Sequence, residues 1–196
     1  MHDLILHGGT VIDGTGGNRY AADVGLSGDR ITSIGDLSAA EAARRVDVSG
    51  RIVAPGFIDV HNHSDGWLLK RPHFLPKTSQ GFTTEVLMLD GISYAPVRPD
   101  TARQWLFYLR GLNSLRLEEY RGWESIGEFL AEFDRAAAQN VVGQVPYANV
   151  RSLVCGFGKQ WVDDLQMKMI QTEVHRGMQD GAVGISTGLD YIVQCY

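Results

Sequence analysis

The hydrophobic pattern of the chain changes near Pro55. Before it, short apolar or alternating stretches indicate small strands, which we place over 3–7, 10–13, 22–26, 30–35 and 45–50. Ser27-Gly28-Asp29 lies between two of these stretches and predicts a hairpin. The glycine-rich segment 14–18 lacks the Lys-Ser/Thr pair of a phosphate-binding loop and precedes no predicted helix, so we interpret it as a turn. Residues 2–55 are therefore predicted to form one layer of small strands.

After Pro55, short apolar strands alternate with amphipathic helices. The predicted strands cover 57–61, 83–89, 141–147 and 181–187. Apolar residues at helical spacing predict helices over 100–112, 123–139 and 162–180. This alternation is typical of βα units around a parallel sheet. Residues 56–196 are therefore predicted to contain four βα units of an α/β fold.

A pair of histidines, His61 and His63, directly follows the first of these strands. Residues at i and i+2 of a strand point to the same side, so we expect two imidazoles side by side at its C-terminal end. Imidazole binds several transition metals, of which zinc is the commonest in hydrolases. Histidines in a surface turn would give the same spacing. The apolar strand before the pair and Ser64-Asp65 after it favour a metal site.

Composition and charge narrow the class of partner. The chain has 196 residues, of which 44% are hydrophobic and 21% charged, as in ordinary globular proteins. A net charge of −5 argues against nucleic acid, and no segment has the length of a membrane span or the composition of a signal peptide. Cys155 and Cys195 form no C-x-x-C pair. We expect a cytoplasmic protein with reduced thiols.

Several motifs resemble one family when they are taken in order. They are Gly-Gly-Thr-Val-Ile-Asp-Gly at 8–14, the run 54–65 around the two histidines, Ser-x-Ala-Pro at 93–96 and Ser-Thr-Gly-Leu-x-Tyr at 186–191. This order resembles the N-terminal part of a metal-dependent hydrolase of the amidohydrolase superfamily, closest to the N-acyl-D-amino-acid deacylase branch. The His-x-His motif is shared by the superfamily, and the last two motifs are specific to the branch.

The resemblance implies a fold and a metal. The fold is a (β/α)8 TIM-type barrel with an attached β-sandwich. Residues 1–55 would form a portion of the sandwich, and residues 56–196 would supply strands 1–4 of the barrel. One or two divalent ions, Zn2+ in the first place, would be held by His61 and His63. Where the branch usually has a cysteine ligand, this chain has Asp90, and a carboxylate is also a competent zinc ligand. Alternatively, Asp90 caps an Asp-Gly turn.

The resemblance also implies roles for other residues. Asp65 would orient a ligand histidine or water, unless it is a helix N-cap. Three residues at the end of the fourth strand would contact substrate or pack, and these are Ser186, Thr187 and Tyr191. The general acid/base, an aspartate on a later strand of the family, is not in this chain. The reaction that the resemblance implies is hydrolysis of the amide C–N bond of a small-molecule substrate, an N-acyl amino acid.

Two departures from the branch bear on the site. Its Gly-His pair has no counterpart in 149–158, and the fourth strand has no lysine to become the carbamylated bridge of binuclear hydantoinases. The number of metal ions therefore stays open.

Four βα units cannot close an eight-stranded barrel, and half a barrel would leave two open sheet edges. We therefore expect the remaining strands to come from a longer chain or from a second polypeptide. Two alternatives remain: one subunit of a split amidohydrolase acting on a cyclic or other amide, and an inactive truncated scaffold.

Overall fold

The structure is a computed structural model that describes residues 1–158 and 161–191. Cys195, one of the two cysteines expected to be reduced, lies outside the described residues, and Cys155 is a free thiol. The chain divides into two compact units, Met1–Gly56 and a second unit that begins at Phe57. Each unit is described by itself.

The first unit is built from short strands: β1 His2–His7, β2 Thr10–Val11, β3 Tyr20–Ala21, β4 Asp23–Ser27, β5 Arg30–Gly35, β6 Ala42–Asp47 and β7 Ile52–Val53. One sheet has the order β5-β4-β1-β6 and a smaller sheet has the order β3-β2-β7. The predicted hairpin is confirmed, because β4 and β5 pair antiparallel with Ser27 opposite Arg30. Ile5, Val11 and Val24 are buried and form the apolar interior of this unit.

The second unit alternates strands and helices. In chain order it contains β8 Phe57–Asp59, α1 Asp65–Lys70, α2 Leu75–Thr78, β9 Phe82–Leu87, α3 Pro99–Leu109, a 3-10 turn Leu117–Glu119, α4 Ile126–Ala131, β10 Asn140–Gly143, β11 Val145–Pro146, α5 Tyr147–Cys155, α6 Asp164–Gln179 and β12 Ile185–Ser186. The mixed α/β class is as predicted. No helix in the described ranges is both long enough and apolar enough to cross a bilayer.

The strands of the second unit pair in parallel. β8, β9 and β10 are neighbours in that order, with Asp59 opposite Glu85 and Glu85 opposite Val141. The predicted third strand is divided at Gln144, so that β10 pairs with β9 while β11 pairs with β12. The side chains of Asp59 and Glu85 therefore share one face of the sheet.

Several helices differ from their predicted extents. The helix predicted over 123–139 is confined to Ile126–Ala131, and Arg135 further along has a φ of +57°, which a right-handed helix does not allow. Helices α1 and α2 were not predicted because four to six residues are too few to show a helical period. Helix α5 was also missed, since the third strand was expected to continue to Tyr147, where α5 begins.

The core of the second unit surrounds the segment that follows β9. Residues 87–97 are buried except for Asp90, which is partly exposed. They pack with large side chains of α3 and α4, including Trp105 and Phe129. Close packing of this kind holds side chains and backbone in one arrangement. The loop after β9 is thus a fixed support that leaves Asp90 accessible.

The outermost strands of the second unit carry exposed apolar side chains. Ile58 is 59% exposed on β8, Val60 just after it is 65% exposed, and Ile185 on β12 is 53% exposed. Within the described part of the chain, β8 pairs only with β9, and β12 pairs only with β11. Large apolar residues on unpaired edge strands are unusual at a protein surface that faces solvent.

Candidate metal centre

The segment that carries His61 and His63 is tied to the ends of two strands. Asp59 Oδ1 accepts a hydrogen bond from the backbone N–H of His61 at 3.2 Å. Between the histidines, Asn62 donates to the carbonyl oxygen of Val86 at 3.2 Å and accepts from the N–H of Ser64 at 3.0 Å. These bonds fix the two imidazoles beside the C-terminal ends of β8 and β9.

Asp90 is presented by a turn with unusual backbone angles. Met88 and Asp90 have φ values of +64° and +56°, and Gly91 follows with +78°. Aspartate tolerates this left-handed region better than most residues, whereas methionine seldom adopts it. A Cβ on Gly91 would lie 3.0 Å from the Cα of Thr187, so the position also needs glycine for space. Backbone outliers held by a packed core are concentrated at functional sites.

The side chains converge on a single oxygen atom. The Nε2 atoms of His61 and His63 each lie 3.1 Å from Asp90 Oδ2. The hydroxyl of Tyr191 donates to the same oxygen at 2.9 Å. The side chain of His61 is 63% exposed and that of His63 is 18% exposed, so the cluster is accessible from solvent. We refer to these four residues as the rim cluster.

The rim cluster has the donors and spacing of a zinc site. Potential ligand atoms of His61, His63 and Asp90 all lie within 4.8 Å of one another, the only such trio found in residues 1–158 and 161–191. Tetrahedral zinc with bonds near 2.0 Å holds its ligand atoms about 3.3 Å apart. The two N–O separations of 3.1 Å are close to that value. Two imidazoles and one carboxylate therefore fit a divalent transition metal.

The pKa of Asp90 is lowered and the pKa of Tyr191 is raised, so the two groups differ in charge at neutral pH. Partial burial acts to raise the pKa of Asp90, but the hydrogen bonds from Tyr191 and His61 and the nearby histidine charges outweigh it, so the pKa is lowered. The carboxyl is thus an anion at neutral pH. Burial, followed by the bond to Asp90, raises the pKa of Tyr191 to about 12. Tyr191 therefore remains a hydroxyl donor.

Asp65 lies behind the rim cluster and is fully buried. It accepts a hydrogen bond from the Ser93 hydroxyl at 2.5 Å and one from the backbone N–H of Met88 at 3.3 Å. Burial raises its pKa, and these bonds and the charge of His63 lower it in part. Ser64 occupies the N-cap position of α1, so the alternative interpretation of Asp65 as the cap is wrong.

Two buried polar atoms near the rim cluster lack partners. Among the described residues, neither Asp65 Oδ2 nor His63 Nδ1 has a hydrogen-bond partner. A histidine that binds a metal through Nε2 carries its proton on Nδ1 and usually donates it to a carboxylate or carbonyl. These two buried atoms are a donor and an acceptor of the types that a metal-binding histidine and its carboxylate partner use.

The three residues predicted at the end of the fourth strand have different surroundings. The Ser186 hydroxyl is buried, donates to the carbonyl of Met88 at 2.5 Å and accepts from the N–H of Gly91 at 3.0 Å. Ser186 thus joins β12 to the turn that presents Asp90. Thr187 is exposed. Of Ser186, Thr187 and Tyr191, Tyr191 is the one that belongs to the rim cluster, through its hydrogen bond to Asp90.

A second charged group, missed at the level of sequence, lies next to this site. The Lys77 ammonium forms an ion pair with Asp59 and lies 3.9 Å from Glu85 Oε2. Gln139 donates to the other Glu85 oxygen at 2.9 Å. We call Asp59, Lys77 and Glu85 the buried triad. The sequence signal that could have revealed it is an acid in the middle of each of two apolar strands.

Known proteins resemble the chain along almost its whole length. No family model matches it. D-aminoacylase of Alcaligenes xylosoxydans xylosoxydans is 41% identical over 189 residues, which are 96% of this chain and 38% of the relative. A solved D-aminoacylase with a binuclear metal center has 39% identity and a TM-score of 0.83, covering 96% of this chain and 39% of that one.

A second similar solved structure contains a bound metal and an inhibitor. It is an N-acyl-D-glutamate deacylase from Bordetella bronchiseptica complexed with zinc and a phosphonate that mimics the tetrahedral intermediate of its reaction. Its identity is 36% and its TM-score 0.85, over 97% of this chain and 39% of that chain. The chain thus spans about two fifths of the length of the relatives it matches.

Proposed function

We propose that this chain belongs to the N-acyl-D-amino-acid deacylases of the amidohydrolase superfamily and forms the metal-binding part of a hydrolase for N-acyl-D-amino acids. The identity of 36–41% to part of such deacylases supports this proposal. The bond cleaved is the amide C–N bond between the acyl group and the amino acid. The observation that carries the proposal is the convergence of His61 Nε2 and His63 Nε2 on Asp90 Oδ2.

In this proposal His61, His63 and Asp90 hold one or two divalent ions, with zinc as the first candidate. Such an ion supplies Lewis acidity toward the scissile carbonyl and acidifies water. Asp90 contributes the negative charge of the donor set. Tyr191 keeps that carboxylate in place through its hydroxyl, which stays protonated across the physiological range.

Asp65 has a positioning role in the same proposal. Its unpaired Oδ2 is a buried carboxylate oxygen of the kind that accepts the Nδ1 proton of a ligand histidine. Ser93 and Met88 hold the other oxygen, so the carboxylate cannot rotate without losing two hydrogen bonds. Asp65 would thereby fix both the orientation and the protonated nitrogen of His63.

We further propose that the second unit is the first half of a (β/α)8 barrel. Its parallel strands follow chain order, and helices lie between them. The exposed apolar residues on β8 and β12 support this, since further strands would cover them. Those strands, together with the aspartate expected to act as general acid/base, would come from the rest of a longer chain or from a second polypeptide.

The test is hydrolysis by the complete, zinc-loaded protein of N-acetyl-D-amino acids, their L-enantiomers and a hydantoin. We expect hydrolysis of the D-compounds, lost in His61→Ala, His63→Ala and Asp90→Ala but kept in His175→Ala. His175 is an exposed histidine on α6 and serves as the matched control. Hydrolysis of the hydantoin alone would favour a cyclic-amide enzyme, and zinc binding without any hydrolysis would favour an inactive scaffold.

A further inference from the structure

The metal-binding segment is joined to the buried triad through Asp59. Asp59 has one oxygen on the N–H of His61 and the other paired with Lys77. Because Asp59 is the last residue of β8 and His61 lies two residues beyond it, any movement of this carboxylate is passed directly to the ligand segment. The position of the Asp59 carboxylate therefore affects the position of His61 in the metal site.

By itself, the position of Asp59 is electrostatically unfavourable. Asp59 and Glu85 are opposite one another on adjacent parallel strands, and Glu85 has no exposed side-chain surface. Two carboxylates on one face of a sheet repel each other, and burial strengthens the repulsion. Burial accordingly raises the pKa of Glu85, and the charge of Asp59 adds to the rise.

Lys77 compensates for both acids. Its side chain is only 22% exposed, and the ammonium pairs with Asp59, lies 3.9 Å from Glu85 and lies 5.3 Å from the centre of the Phe82 ring. Helix α2 places this single cation between two strands whose acids would otherwise be uncompensated. The removal of one partner from a buried ion pair leaves an uncompensated charge that the structure must rearrange to solvate.

We propose that Lys77 is a positioning residue for the metal centre: it holds Asp59 against the backbone of His61 and so sets the geometry of the first ligand. The inference rests on the proposed metal-binding function. Lys77 touches neither substrate nor metal in this scheme and acts only through Asp59. Outer partners of metal ligands typically contribute about 10- to 100-fold to metal affinity.

Lys70 offers a matched control in the same unit. Its side chain is 25% exposed, close to the value for Lys77, and it pairs with Glu119 at 2.7 Å. It also donates to the carbonyl oxygen of Ser114 at 2.5 Å. Lys70→Met thus removes a half-buried lysine ion pair of similar exposure that has no hydrogen bond to the His61–His63 segment.

The experiment measures Zn2+ affinity and the visible spectrum of the Co2+ form in the complete protein. We compare the parent with Lys77→Met, Lys77→Arg and Lys70→Met. We expect about a 10-fold loss of Zn2+ affinity and an altered Co2+ spectrum for Lys77→Met. Lys77→Arg, which keeps the charge, should recover most of the affinity, and Lys70→Met should bind both metals like the parent.

Other outcomes separate the two proposals. If the parent binds neither ion, the metal-binding function itself is wrong. If the parent binds zinc and Lys77→Met binds it equally well, or loses no more affinity than Lys70→Met, the positioning role is overturned while the metal site stands.

A charge-balanced variant covers the case in which Lys77→Met fails to fold. Lys77→Met/Glu85→Gln removes one charge of each sign and should fold with weakened zinc affinity, because Asp59 still lacks its cation. Parent-like affinity in this double variant would contradict the proposal. Failure of both variants to fold, with Lys77→Arg behaving like the parent, would assign Lys77 to folding alone and also overturn the positioning role.

Discussion

The rim cluster and the buried triad are both built around aspartates at the ends of adjacent parallel strands, but they are completed differently. In the buried triad, the charges of Asp59 and Glu85 are compensated by the protein's own ammonium group on Lys77. In the rim cluster, two imidazoles and a tyrosine hydroxyl contact the Asp90 carboxylate. In the described part of the chain, no lysine or arginine forms an ion pair with Asp90.

This difference indicates what each cluster is for. A largely buried group whose cation is a protein side chain stabilises one backbone arrangement, here the junction of β8 and β9. Around the partly exposed Asp90 carboxylate, the described residues place imidazole and hydroxyl groups but no lysine or arginine, and a divalent metal would supply positive charge there. The two clusters are therefore interpreted as support and reaction site, respectively.

The largest expected effect comes from the loss of a rim-cluster imidazole. We expect His63→Ala to lower the zinc affinity of the complete protein by at least about 100-fold, since outer partners alone contribute 10- to 100-fold. Competition with a chelating dye measures the dissociation constant, and His175→Ala is the control. An unchanged constant would show that the rim cluster does not bind the metal.

The second effect concerns the charge at residue 90. Asp90→Asn keeps the shape but removes the anion, so we expect zinc affinity to fall by at least about 10-fold, the effect that the loss of an outer partner alone can have. Asp90→Cys restores an anionic ligand and should bind zinc again, with a stronger preference for soft ions. Titration with Zn2+ and Cd2+ measures both effects. Equal zinc affinity of Asp90→Asn and the parent would argue that Asp90 is only a hydrogen-bond acceptor.

The third effect weakens the support of the rim cluster without touching its ligands. Ser186→Ala leaves the Met88 carbonyl and the Gly91 N–H without their buried partner, which should cost about 1–3 kcal/mol of unfolding free energy. Thr187→Ala, at the next and exposed position, should change it by less than about 0.5 kcal/mol. Urea unfolding of the complete protein measures both. Equal effects would show that the Ser186 hydrogen bonds contribute nothing specific.

The smallest effect is a pH dependence of the buried triad. Burial raises the pKa of Glu85 above its ordinary 4.5, so the folded state binds this proton more tightly than the unfolded state. Stability must then fall as pH rises from about 4.5 through the folded-state pKa. We expect the unfolding free energy of the parent to decrease relative to that of Glu85→Gln as the pH rises over that range.

Glu119 gives the opposite sign and serves as the control. Burial acts to raise the pKa of Glu119, but the bond from Lys70 and the N–H of Arg116 outweigh it, so its pKa is lowered. Its contribution to stability is present above 4.5 and is lost as pH falls through the folded-state pKa. If the effects of Glu85→Gln and Glu119→Gln on unfolding free energy changed with pH in the same direction, burial would not be what sets the pKa of Glu85.

Local sequence patterns were enough to predict much of the fold and part of the site. Strand periodicity and helical spacing predicted the βα alternation. His61 and His63 were expected together as residues i and i+2 of one strand. They do lie together, but β8 ends at Asp59, and both follow it in a segment held by Asp59 and Asn62. The proximity of Asp90 came from the family resemblance, since nothing local links residue 90 to residue 61. Its role as a ligand remains a prediction.

What could not be predicted depends on long-range register and backbone strain. The pairing of Asp59 with Glu85 follows from the alignment of β8 with β9, which periodicity does not specify. Lys77 lies on a helix of four residues, too short to give a pattern. The positive φ angles of Met88 and Asp90 are maintained by the packed core around residues 87–97, which no local preference of methionine would indicate.

The most direct test of the central claim is the metal content of the complete protein, measured by elemental analysis after purification with zinc. The parent should retain one or two zinc ions per chain, and His61→Ala/His63→Ala should retain none at the same protein purity. Full zinc occupancy in this double variant would show that the metal, if the protein uses one, lies elsewhere, and would contradict the assignment of the rim cluster.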